Sequence, residues 1–328
     1  MKKLFLILIL LAFFISEVNA ANFPKHALLK KPLKLSDINN ISDTQCDLCG
    51  CYMGLDPNFA KNQAGIRVSS IKFFTEGHIE TSRTEIDQPG ESNSNSTEIY
   101  NDLEFYVRYY FTPKFRVLFS IPFGSNEIEG KKLNGLGDAK LLAQYQVYNS
   151  SITARTNFWQ RLFLGAGFNL PTGEYNKQLT FGVVEPHFQP GTGSFDVILT
   201  VLHLAKLEKT RLGWRNDIIY TINGKNKNQY SFGNRFNWTS TLFYEVPASS
   251  LTFLPHTGVY FESAKQDKLS GQPEESTGGD ILFATGGLDI YYTDFSLDFN
   301  YQLPLSEKFI GEQPQNKYRF YIGMGYSF

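Results

Sequence analysis

The chain has 328 residues, with 31 Lys and Arg against 32 Asp and Glu, for a formal net charge of −1. That balance leaves no electrostatic footprint for a nucleic-acid partner, and after the first twenty residues no apolar run approaches the ~20 residues that a membrane helix needs. Aromatic residues make up 15% of the chain, with 29 Phe and 18 Tyr, a load that suits the aromatic girdles of a membrane β-barrel.

Residues 1–20 read as a signal peptide. Lys2 and Lys3 form a basic start, and Leu4 to Ile15 is an apolar core too short to span a bilayer. Val18-Asn19-Ala20 is a small-residue cleavage site, so the mature chain is expected to begin at Ala21. Residues 21–60 are then expected to form a periplasmic extension, and residues 61–328 an outer-membrane barrel.

All three cysteines lie in this extension, in Cys46-Asp-Leu-Cys-Gly-Cys51. Three readings of Cys46, Cys49 and Cys51 are open. The C-x-x-C-x-C spacing lets three thiolates converge on Cu(I) or Zn²⁺, with Met53 or His78 as further ligands. In an oxidising periplasm, one disulfide plus a third thiol is the alternative. A covalent link to a cofactor or partner is the third. Haem attachment through C-x-x-C-H is excluded, because Gly50 stands at the His position.

From there, period-two alternation of apolar and polar residues predicts about twelve strands. They lie near 65–81, 99–112, 115–124, 135–148, 155–170, 193–205, 211–222, 230–245, 251–263, 280–293, 295–304 and 318–328. In the second, Leu103, Phe105, Val107, Tyr109 and Phe111 share a face, and Asp102, Glu104, Tyr106, Arg108 and Tyr110 share the other. The eleventh sets Phe295, Leu297, Phe299, Tyr301 and Leu303 against Ser296, Asp298, Asn300 and Gln302. The sixth is apolar on both faces. Pro122, Pro171, Pro255 and Pro304 require strand ends or bulges.

The connections alternate in length. Long ones are expected at 82–98, 125–134, 171–192, 223–229, 264–279 and 305–317, and short ones at 112–114, 149–154, 206–210, 246–250 and 292–294. Short periplasmic turns and long extracellular loops are what an outer-membrane barrel requires. Tyr318 to Phe328 alternates to an aromatic carboxy-terminus, which resembles the closing strand of outer-membrane barrels, read by the barrel assembly machinery. The expected fold is thus an all-β, transmembrane, antiparallel up-and-down barrel in the outer membrane, with lipid outside and a narrow, partly plugged lumen inside.

Three stretches carry a family resemblance: Asn134-Gly-Leu-Gly-Asp138 with Ala139-Lys-Leu-Leu-Ala-Gln-Tyr145, then Asn169-Leu-Pro-Thr-Gly-Glu174, then Gln189-Pro-Gly-Thr-Gly-Ser-Phe-Asp196. In order and spacing the chain resembles the outer-membrane transporter family associated with the meta-pathway of phenol degradation. The resemblance runs over roughly residues 65–328, and it implies a barrel that passes small, often hydrophobic, compounds. The cysteine-bearing opening departs from the family pattern and resembles barrels of Bacteroidota.

These stretches are placed at the extracellular rim, with two readings. Either Asp138 and Asp196 face the passage in a shaped mouth, or the glycines make turns and the Asp side chains cap local backbone. The apolar loop 178–187 either folds inward as a constriction or packs on the rim. Glu104, Arg108, Lys140, Arg235, Asp298 and Arg319 fall on the polar faces of their strands. They either set a field that selects permeants or pair as scaffolding across the lumen. No nucleophile elbow accompanies His203 or His256, so no catalytic residue is assigned and no enzyme is expected. The expected function is a transporter or channel for a small, possibly hydrophobic, solute. The alternative is a metal-binding surface protein in which the barrel is an anchor.

Overall fold

The computed structural model describes residues 44–46, 53–55, 61–75, 96–128, 130–150, 157–178 and 184–328. Twelve strands form the barrel: β1 (Gln63–Thr75), β2 (Ser96–Thr112), β3 (Phe115–Ile128), β4 (Ala139–Asn149), β5 (Phe158–Leu170), β6 (Asp196–Leu207), β7 (Leu212–Ile222), β8 (Arg235–Tyr244), β9 (Leu251–Ala264), β10 (Gly279–Tyr292), β11 (Phe295–Phe309) and β12 (Gln315–Ser327). Each pairs antiparallel with its chain neighbour, and β1 pairs with β12 to close the ring, with Ser327 opposite Gln63 and Met324 opposite Ile66. Closure leaves no sheet edge, which is the condition for a sheet in hydrocarbon.

The alternation read from the sequence is the wall of this barrel. Leu103, Leu164, Phe295 and Leu297 stand outward and are 46–53% exposed. The residues between them point inward and are buried, Arg108 and Arg116 completely. An exposed apolar belt around a polar interior is the reverse of a water-soluble fold and is stable only with lipid outside. The inner apolar residues of β6 resolve its two-faced appearance: Ile198 packs in the lumen with Leu118, Leu142 and Ile219.

Several expected connections shorten or change. The loop expected at 125–134 is a hairpin, because β3 continues to Ile128 and a six-residue strand, Lys131–Leu136, pairs back onto it. Gly130, at φ +77°, takes the left-handed backbone of that turn. The loop expected at 305–317 is shortened by β11, which runs to Phe309. The connection expected at 223–229 extends to 234 and builds a small sheet in which Tyr230–Ser231 pairs with Lys268–Leu269 and the latter with Gln272–Pro273. The short connection expected at 246–250 contains a strand, Val246–Ala248, paired with Leu251–Phe253.

Pro304 and Pro122 sit where their missing N–H is tolerated, whereas Pro255 lies inside β9, opposite Leu288, with no register shift in that pairing. Pro304 lies in β11 beside a register shift: it faces Phe283, while Ser306 faces Leu282. Pro122 lies where the pairing of β3 passes from β4 to Lys131–Leu136, across the break at Gly137-Asp138. There a single bond, Gly137 N–H to the Pro122 carbonyl at 2.9 Å, bridges the gap.

The half of the lumen near the short turns is filled by cations laid on aromatic rings. The Arg116 guanidinium lies 4.7 Å from the Phe163 ring centre and its Nε donates to Gln144 Oε1 at 2.8 Å. Arg161 covers Trp159 at 4.4 Å, and Lys206 meets Glu245 at 2.6 Å. Open space is found toward the long loops.

Candidate functional site

Among the described residues, two cavities lie at the long-loop end. The outer one, about 450 Å³, is lined by loop residues that include Tyr175, Glu185, Asn226, Tyr230 and Glu274. The inner one, about 320 Å³, is walled by inward residues of β2 to β8, among them Asp102, Lys140, Asn169, Ile198, Thr221 and Arg235. Pro186, His187, Gln189, Gly191, Thr192 and Phe232 line both. The segment 186–192 is therefore a strap between an outer vestibule and an inner chamber.

The strap is fixed on the β2–β4 side by backbone and side-chain bonds. Pro186–Phe188 is one 3₁₀ turn, capped by Glu185, whose carboxylate accepts from the His187 N–H. Phe188 is 1% exposed, packs edge-on to Tyr100, and its carbonyl accepts from Asn126 Nδ2 at 2.9 Å. Gln189 exchanges hydrogen bonds with the Lys177 backbone in both directions, each at 2.9 Å.

The three glycine-bearing stretches converge here. A Cβ on Gly173 would lie 2.6 Å from the Gly137 carbonyl carbon, and one on Gly191 would lie 2.8 Å from Gly173 Cα. Only glycine permits that stack of three backbones. Asp138 fastens it. Its Oδ1 accepts from the Gly173 N–H at 2.8 Å, and its Oδ2 accepts from the Thr192 N–H and hydroxyl, both at 2.6 Å. Asp196 does the same one strand on: it accepts from Asn169 Nδ2, Ser194 Oγ and the Gly224 N–H at 2.7–2.9 Å. Both line the inner chamber while their oxygens bind donors from the loops and, for Asp196, from Asn169 of β5. Of the loop 178–187, residues 179–183 lie outside the described residues, and 186–187 lie over the inner chamber.

On the far side the strap meets the loops after β7 and β9 through His187. Its Nε2 lies 2.6 Å from Asp267 Oδ2 and 3.1 Å from the Tyr230 hydroxyl, which itself donates to Asp267 Oδ2 at 2.5 Å. The carboxylate acceptor places the ring proton on Nε2. Asp267 Oδ1 accepts from the Gly233 N–H at 2.8 Å. Burial would push the Asp267 carboxyl up, but the hydrogen bonds and charge of His187, with Tyr230 and the Gly233 N–H, outweigh it and hold it below its usual range.

The inward charges expected from the sequence do not form one constellation. Asp138, Lys140, Asp196 and Arg235 line the inner chamber. Glu104 accepts from Arg67 Nη1 at 2.8 Å. Arg319 donates to Glu262 Oε2 at 3.0 Å and lies over Phe283 at 4.4 Å. Arg108 and Asp298 are buried elsewhere in the barrel. Sequence reasoning missed Asp267, Tyr230 and Glu262 and set His187 aside as a loop residue, since nothing local marks a loop His and a loop Asp as partners. Cys49 and Cys51 lie outside the described residues. Cys46 falls in a short strand, Thr44–Cys46, paired with Met53–Leu55. Among the described residues, no three His, Cys, Asp or Glu side chains are grouped to hold a metal.

Among solved structures, the fold is similar to the COG4313 outer membrane channel of Pseudomonas putida F1, at 13% identity and a TM-score of 0.55, covering 84% of this chain and all of that one. The β domain of the Bordetella autotransporter BrkA is a more distant likeness, at 11% identity and a TM-score of 0.46, covering 82% of this chain and all of that one. No curated protein matches the sequence. The chain belongs to the family described as "Putative MetA-pathway of phenol degradation", whose pattern its residues 106–308 match.

Proposed function

We propose that this protein is an outer-membrane channel that admits a small solute with an apolar body from the long-loop side, without catalysis. The observation that carries the reading is the division of the loop end into a vestibule and a chamber that share one partition. A barrel serving only as an anchor has no use for two linked cavities above a filled half-lumen. Family membership supports transport, and the Pseudomonas protein of similar fold is described as an outer membrane channel. The long loops then face outward, the short turns face the periplasm, and lipid surrounds the apolar belt. The strap 186–192 is the first element a solute meets after the vestibule.

The filled turn-side half makes the resting conductance small. Purified full-length protein in planar bilayers is expected to show small, discrete conductance steps, and proteoliposomes to swell faster with small solutes than with sugars. Bilayers that stay silent and liposomes that swell no faster than protein-free ones would sink the reading.

A further inference from the structure

Across β5 to β8 the lipid-facing wall carries a row of hydrogen-bonding side chains, one from each strand: Gln160, His203, Asn216 and Ser240. Each alternates with a buried inward neighbour, respectively Arg161, Leu204, Asp217 and Thr239. Asn216 stands directly opposite His203 on one side and Ser240 on the other. Gln160 Oε1 lies 3.3 Å from His203 Nε2, and Ser240 Oγ accepts from Trp214 Nε1 at 2.9 Å. The Asn216 side-chain amide has no hydrogen-bond partner among the described residues.

The row lies inside the apolar belt. His203, Asn216 and Ser240 are each four residues in from the short-turn ends of their strands, at Leu207, Leu212 and Tyr244. At a rise of about 3.3 Å per residue and a tilt of about 40°, that is about 10 Å above those ends, within a belt about 25 Å tall. On the same outward face, exposed Leu207, Leu212, Leu242 and Tyr244 lie toward the turns, and exposed Leu199 and Ile218 toward the loops. At the same distance from its turn end, β11 presents Phe299. Hydrocarbon offers the row neither donor nor acceptor. Side chains of these types in a membrane bond instead to a neighbouring protein surface.

Depth selects the neighbour. Copies of one outer-membrane protein insert with the same orientation, so a two-fold axis between them runs along the bilayer normal and joins groups at equal depth. His203, Asn216 and Ser240 share one depth. Rotation about that axis therefore brings the row onto itself, the β5 end of one facing the β8 end of the other. The row is also its own chemical complement. The two amides, a neutral imidazole and the hydroxyl each donate and accept, which is what an isologous contact needs. We propose that the outward face of β5 to β8 is the contact between two copies of this barrel in the membrane, with Asn216 near the two-fold axis. The proposal rests on the lipid-facing wall and is independent of the channel reading.

The test is photo-crosslinking of the full-length protein in intact outer membranes, with benzoylphenylalanine placed at Ile218, beside the row, or at Leu297, on the outward face of β11. Heat-modifiable gel migration verifies the fold of each variant. The probe at Ile218 is expected to give a covalent dimer whose joined peptides both come from β5 to β8 of this chain, and the probe at Leu297 only lipid adducts. Combining His203→Leu with Asn216→Leu removes two of the polar groups and is expected to lower the dimer yield about tenfold. Asn216→Gln, which keeps an amide, should retain most of it. Lipid adducts alone at Ile218, capture of a different protein there, equal dimer yields from the two probe positions, or a yield unchanged in the folded double-leucine variant would each overturn the contact.

Discussion

His187 and Asp267 stand eighty residues apart and meet with Nε2 2.6 Å from Oδ2, tying a strap that follows β5 to a loop that follows β9. Asp267 is 4% exposed, so the pair is shielded on the carboxylate side, while His187 keeps an edge toward the cavities. Most of the strap's other anchors lie on the side of β2 to β5, and on the far side Asn226 Nδ2 also donates to the Thr192 carbonyl at 3.0 Å, so the His187 contact is the latch at the Pro186–Phe188 end of the partition.

Asp267→Asn should loosen that latch. Charge-assisted hydrogen bonds contribute roughly 1.5–3 kcal/mol, and partial exposure of His187 places the loss at the low end. The open fraction should rise by about tenfold. The check is the labelling rate of Thr221→Cys, which sits below the strap in the inner chamber, by a water-soluble thiol reagent. An unchanged rate would mean that the strap moves without regard to Asp267.

The same carboxyl sets a pH dependence. Its folded pKa lies below the value near 3.9 of an unfolded chain. A depressed pKa contributes stability that is present above the unfolded value and is lost as pH falls through the folded one. The Thr221→Cys labelling rate, taken relative to that of a free thiol at the same pH, should therefore rise as pH falls below about 3.9. In Asp267→Asn that acid step should be absent.

Asp138→Ala removes the acceptor of three hydrogen bonds from Gly173 and Thr192. Buried donors left unpaired cost roughly 1–3 kcal/mol each at most, so the stretches at 171–174 and 190–194 should separate before the barrel unfolds. Hydrogen exchange at the Gly173 and Thr192 amides should accelerate at least tenfold while the β10–β12 amides stay protected. Uniform acceleration over the whole barrel would assign Asp138 to global stability instead.

Leu164 stands on the outer face midway along β5 and is 46% exposed. Arginine there should cost roughly 2–4 kcal/mol, the value for a cation on the lipid face near the bilayer midplane. Urea unfolding in lipid vesicles should show that loss, and full stability would mean the apolar belt does not face lipid at this height.

Much of the fold was legible because a barrel wall imposes one rule on every residue. Side chains alternate between lipid and lumen, so Leu103 to Phe111 and Phe295 to Leu303 announce both their strands and their faces. The rule weakens where strands outrun the membrane. Residues 125–128 at the end of β3 and most of the Lys131–Leu136 strand mix polar and apolar residues and read as a loop. It also weakens at β6, where Ile198 packs inside the lumen rather than against lipid.

The convergence of the three glycine stretches was partly legible: glycine and aspartate in a fixed order announce tight backbone, though not which backbone approaches which. What the sequence by itself determined was the ring of twelve strands and the set of side chains that point inward, because both follow from a local period of two. What only the tertiary structure decided was which inward groups meet. Asp267 with His187, and Glu262 shared between Arg235 and Arg319, are contacts across strands and loops far apart in the chain. No local period encodes them, since they depend on where closure of the barrel brings each strand end.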